Sequence, residues 1–164
     1  MENVGLSLQR SAIEMRAEPS NFDQFGRSAF NRYYYAVFLI VRELILEFNP
    51  AWGGTHSSIP EMLTGSVKRE IKSFQAKAQR TNDAEAIVLC NRAVAALSAL
   101  ASMIKTANAV RVTADYNPDI KINDVGSDRF KLGAIDITDA HAWTGQARNL
   151  SQVIRRAWSL SRGT

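Results

Sequence analysis

The apolar residues Phe30, Tyr33, Tyr34, Val37, Phe38, Val41, Leu44, Ile45 and Phe48 follow one another at steps of three and one. Only an α-helix gathers such positions on one face, and the stripe is wide enough to be buried on most of its circumference. A strand would need alternation by two, which this stretch lacks. Pro19 lies just before the stretch, and Ser20 with Asp23 reads as a capping box opening a helix over 22–48. Asn49, Pro50, Gly53 and Gly54 close it. A chain with so long an apolar helix must supply other helices to cover it.

Those helices are legible on either side. Leu8, Ala12 and Met15 share a face, which predicts a first helix over 3–16. Ser58 and Glu61 read as a second capping box with Pro60 in the first turn, and Thr64-Gly65 as the end of that short helix. Residues 66–79 form a basic amphipathic helix around Val67, Ile71 and Phe74. Asn82 and Glu85 open a further long helix whose seam is Ile87, Cys90, Val94, Leu97, Ala101 and Ile104. It ends before Val112, and Asp115-Tyr116-Asn117-Pro118 has turn chemistry. Over 119–137 the period changes to two at Ile120 and Ile122 and at Phe130, Leu132 and Ala134, with loop residues at 123–128, so a small hairpin is expected. Thr138 caps a last helix, with Ala142, Ala147, Leu150, Ile154, Ala157 and Trp158 inward. The expected fold class is all-α, a bundle of five to six helices with a small irregular or hairpin insert near 119–137. Its 164 residues suit a single domain over 1–164, and the 46% hydrophobic and 22% charged content suits a folded one.

Several function classes lose their signatures. Cys90 alone makes no disulfide, and no Cys/His set suggests zinc, so neither metal nor cofactor is expected. No phosphate-binding glycine loop and no nucleophile elbow occur. No unbroken run of about 18 apolar residues is present, and no apolar stretch behind a charged start suggests a secretory signal. The expectation is a cytoplasmic protein with no membrane partner. Net charge is +4 with a sequence pI near 9.5, a mild bias toward acidic partners. Residues 68–80 hold five basic residues against Glu70, so Lys68, Arg69 and Lys72 are the candidate nucleic-acid contacts. Arg148, Arg155, Arg156 and Arg162 follow Asp139 with no further acid. A charge run is ordinarily a solvated face.

Two further groups stand out. His56 lies in a loop and His141 in a first helical turn, and such histidines ordinarily make structural hydrogen bonds. With Arg32 they are the catalytic candidates. In Asn31-Arg32-Tyr33-Tyr34-Tyr35 three successive tyrosines cannot all face one core, since neighbours lie about 100° apart on a helix. Arg32 near apolar surface needs an acid, and Asp115 is the candidate.

The string Asn31-Arg32-Tyr33-Tyr34-Tyr35-Ala36-Val37-Phe38 resembles the HEPN family of small helical bundles. The resemblance continues at His56-Ser57 and at Arg111 through Tyr116, in the family's order and over roughly 20–160. It implies an HEPN-like bundle that often dimerises and belongs to defence or toxin–antitoxin systems. Its partners would be RNA, a nucleotide or a protein encoded nearby. It also implies a polar network of Arg32, Tyr35, Arg111 and Asp115 with His56. Ribonuclease branches carry Arg, four to six residues, then His, a spacing absent here, since Arg42 and Arg129 lie too far before His56 and His141. The leading expectation is therefore a binding domain, and the alternative a metal-independent ribonuclease with an atypical site.

Overall fold

The structure, a computed structural model, describes residues 1–163. It is mostly helical. The elements are α1 (Glu2–Glu14), α2 (Pro19–Phe48), α3 (Ile59–Met62), a π-helical turn (Leu63–Val67), α4 (Lys68–Arg80) and α5 (Ala84–Tyr116). Then come β1 (Ile122–Gly126), β2 (Arg129–Leu132), β3 (Ile135–Asp136) and α6 (Ile137–Arg162). The chain forms two compact units. One comprises Met1–Phe38 and Thr106–Gly145, and the other Leu39–Lys105 with the chain from Gln146 on.

In the first unit α2 buries Phe22, Phe30, Tyr33, Tyr34 and Val37, as the stripe required. The 119–137 insert is a three-stranded antiparallel sheet in the order β1-β2-β3 rather than a hairpin. Ser127 and Asp128, both at positive φ, turn β1 into β2. Gly133, at φ +57, then lets Ile135 pair back onto Leu132. Phe130 on β2 is fully buried and meets Phe22 and Phe30 edge-on at 5.6 and 6.0 Å. Ile122 and Leu132 are buried with it, whereas Ile120 and Ala134 are exposed, because they fall outside the paired strands. Gly26 is where the sheet meets the helix. A Cβ there would stand 3.0 Å from Ile122 Cγ1.

The second unit buries Val41, Leu44 and Ile45 of α2, Ile59, Leu63, Val67 and Ile71, and Cys90, Leu97, Leu100 and Ile104 of α5. Trp158 stacks on Phe48 at 4.3 Å and takes Trp52 edge-on at 6.1 Å. On α6, Ala147, Ile154, Ala157 and Trp158 are buried and Leu150 half-buried, but Ala142, in the first unit, is exposed.

Helix ends differ most from expectation. α2 begins at Pro19, since proline suits the first helical position, and Asn21 donates to the Glu18 carboxylate at 2.6 Å. Ser20 and Asp23 therefore form no capping box. Asp23 instead accepts the Ile122 amide at 2.9 Å and pairs with Lys121 at 3.3 Å, fixing β1. Ser58 precedes α3 but makes no side-chain cap, because its hydroxyl accepts the Thr55 amide. Thr64-Gly65 ends nothing. The Thr64 hydroxyl bonds back to the Pro60 carbonyl, and the helix widens into the π-helical turn and continues as α4. Asp83, not Asn82, caps α5 through the Ala86 amide, since Asn82 sits at φ +55 in the preceding turn. α5 runs through Val112 to Tyr116, with Arg27 donating to its Thr113 carbonyl. Asp136, not Thr138, caps α6 and receives both the amide and the hydroxyl of Thr138.

α5 is also long and apolar enough by length and composition to cross a membrane, with a window of mean hydropathy 1.8 of which 39% is buried. Small residues such as Ser98 and Ser102 interrupt the apolar run without lowering the average much, so the helix has a high mean hydropathy with no unbroken apolar run.

Candidate functional site

The first unit holds a polar cavity of about 230 Å³ lined by Arg27, Ser28, Asn31, Arg32, Ala114 and Asp115. α2 supplies the first four of these residues, one turn apart on the face beside the stripe, and the last turns of α5 supply the others. The amide of Asn31 donates to Asp115 Oδ1 at 2.6 Å, and Arg111 Nε lies 2.8 Å from Oδ2, one turn back on the same helix. The Arg111 guanidinium also lies 5.3 Å from the Tyr116 ring. Arg27 donates to the carbonyls of Ile120 (2.6 Å), Thr113 (3.0 Å) and Asn117 (3.1 Å), tying α2 to the last turn of α5 and the turn after it. The Thr113 and Asn117 carbonyls also accept the amides of Asn117 and Ile120. Arg32 borders the same cavity but turns to the Tyr35 ring, 6.0 Å away. Asp115, the acid expected for Arg32, is engaged by Asn31 and Arg111.

The remaining expected residues distribute as follows. Tyr33 and Tyr34 are fully buried and Tyr35 half-buried, so one of the three phenols faces outward as helical geometry demands. The Tyr33 hydroxyl donates to Gln9 at 2.7 Å. Burial, reinforced by the charge of Glu2, pushes its pKa up to about 12, and burial does the same to Tyr34. His141 is exposed, its ring 5.4 Å from that of Tyr33. His56 lies half-buried in the loop before α3, in the second unit. Cys90 is buried on its seam, and burial with the nearby charge of Asp83 pushes its thiol pKa up, away from reactivity. Among the described residues, no group of three or more His, Cys, Asp or Glu could hold a metal ion.

The second unit carries the basic face. On α4, Ile71 and Ala78 are buried, while Arg69, Lys72, Lys77 and Arg80 are exposed and Lys68 is half-buried. Lys68, Arg69 and Lys72 have no ion-pair partner among the described residues. Glu70, the one acid on this helix, is 3.6 Å from Arg162 of α6, which offsets its charge. A larger cavity, about 650 Å³, lies between the first turns of α5 and the last turns of α6. Sequence reasoning missed it, although Glu85 and Arg92 at a spacing of seven around Val88-Leu89 were there to be read.

Fold and site together define a mostly helical protein with a small antiparallel sheet, one unit bearing a polar cavity whose carboxylate is already paired and the other an unpaired basic helix. No family model, no curated protein and no solved structure matches the chain.

Proposed function

We propose that the chain is an HEPN-like binding domain of a defence or toxin–antitoxin type system, acting as a homodimer, and that α4 is its contact for single-stranded RNA. The observation that carries the reading is the unpaired charge on α4. Cations already tied to carboxylates have little left to offer a phosphate, whereas Lys68, Arg69 and Lys72 keep theirs. Lys68 and Lys72 lie one helical turn apart with Arg69 beside them, so they reach successive phosphates together. The meeting of Asn31 and Arg111 at Asp115 supports the family resemblance, since two of its three strings join there. The lining of that cavity includes Arg32 but no histidine, which favours binding over cleavage.

The test is titration of a labelled single-stranded RNA with the K68A/R69A/K72A variant over a series of salt concentrations. Affinity should fall, and the slope of log affinity on log salt should flatten by about 0.7 for each lost contact. Unchanged affinity and slope would overturn the RNA reading and leave a protein partner. Intact RNA after incubation with chelator fits a binding domain, and cleavage would favour the ribonuclease alternative.

A further inference from the structure

The cavity between α5 and α6 in the second unit is lined by apolar side chains that solvent reaches. Val88 is 49% exposed and Leu160 43%, and Leu89 is half-buried beside them. Glu85 and Arg92 flank these residues on α5, and Arg156 stands on the α6 wall. Glu85, Arg92 and Arg156 have no ion-pair partner among the described residues, and the fourth charged group of the lining, Asp83, accepts the Ala86 amide. Glu85 and Arg92 cannot pair with each other, because seven residues of helix separate them by about 10.5 Å along the axis. They do share a face, being two turns apart, and Val88 and Leu89 lie between them on it.

This order, acid, two apolar residues, base, is its own complement when reversed. If a second copy of the helix is laid antiparallel across a two-fold axis passing between Val88 and Leu89, the partner's Arg92 comes opposite Glu85. The partner's Glu85 then comes opposite Arg92, and the partner's Leu89 opposite Val88. The operation yields two ion pairs around an apolar centre from charges that a single chain leaves unpaired, which is the signature of an isologous contact. The groove supplies the matching shape. Each α5 is a ridge beside a slot bounded by α5 and α6, so ridge and slot can exchange between copies in a four-helix arrangement.

We infer that the α5–α6 groove is a homotypic docking face, occupied by α5 of a second copy. The inference does not depend on RNA binding at α4, and it deepens the homodimer reading by locating its face. A partner of uniform charge fits less well, because the groove offers acids, Asp83 and Glu85, at the start of α5 and a base, Arg92, two turns further along it.

Sedimentation velocity over a wide concentration range tests it, with circular dichroism as a check on folding. The wild-type chain should show a reversible monomer–dimer equilibrium. R92E places Glu against Glu twice across the axis and should weaken the dimer by more than about tenfold, and E85R should do the same with like positive charges. The double variant E85R/R92E restores both pairs in reverse and should regain the dimer. A monomer at all concentrations would overturn the inference while leaving RNA binding at α4 intact. A dimer indifferent to both single changes, or a double variant as weak as either single one, would also overturn it.

Discussion

The polar cavity of the first unit and the exposed faces of α4 and the α5–α6 groove in the second treat charge differently, although the second unit also pairs Arg155 with Glu47 at 2.7 Å and Arg162 with Glu70 at 3.6 Å. Around the cavity of the first, Arg27, Asn31, Arg111 and Asp115 each hold a partner within the unit at 2.6 to 3.1 Å, and Asp23 and Asp136 do likewise at the sheet. In the second, Lys68, Arg69, Lys72, Glu85, Arg92 and Arg156 stand without ion pairs among the described residues. The same residue types thus do different jobs. Paired groups hold loops and helix ends against each other, and changing one leaves its partner wanting. Unpaired groups contribute little to folding and keep their charge for something outside the chain.

The comparison breaks first at Arg27. Arg27→Ala would remove a charged donor from the Ile120 carbonyl and a second donor from the Thr113 and Asn117 carbonyls, which keep the amides of Asn117 and Ile120, and urea unfolding should show a loss of about 2 kcal/mol. A loss below about 0.5 kcal/mol would mean that water replaces the guanidinium and that the first unit is no more tied than the second.

Asp136 comes next. Arg129 and the Thr138 donors hold its carboxyl down at a pKa of about 2 against burial, which acts the other way, so its ionised form is stabilised by folding. That stability is fully present above the ordinary carboxylate range near 4 and is lost as pH falls from there toward about 2. Asp136→Asn should therefore cost about 1–2 kcal/mol at neutral pH, and the difference from wild type should shrink over that acid window. Equal loss at every pH would assign its role to shape alone.

The smallest effect belongs to α4. K68A/R69A/K72A should change unfolding free energy by less than about 0.5 kcal/mol, whatever it does to RNA. A loss of 2 kcal/mol or more, read against the same urea curves, would show these side chains holding the fold and would erase the contrast between the units.

What the sequence disclosed follows the same line. The α2 stripe and the α5 seam were legible because apolar periodicity integrates over many residues, so Phe30, Val41, Cys90 and Leu97 fell where expected. Caps were not, because each depends on one side chain among several polar neighbours. Asp23 was read as part of a local box but works at a separation of 99 residues, on the amide of Ile122. Asn82 lay one residue, and Thr138 two residues, from the aspartate that does the capping, and only the path of the chain distinguishes them. Of the polar network, Arg111 and Asp115 meet as one turn of helix allows, but nothing local showed that Asn31 rather than Arg32 would take the carboxylate.

The π-helical turn at Leu63–Val67 bears on how this chain tolerates length variation. Removing one residue from a regular helix rotates everything beyond it by about 100°, which on α4 would swing Ile71 out of the core and the lysines into it. A π-helical turn already carries a surplus residue, and losing it lets the segment relax to ordinary α-helix with both flanks in phase. Gly65 lies within it with nothing near the place of a Cβ, so the loss vacates no packed position. A single-codon deletion there should be silent toward the basic face, whereas the same deletion a few codons later, within α4, would dismantle it.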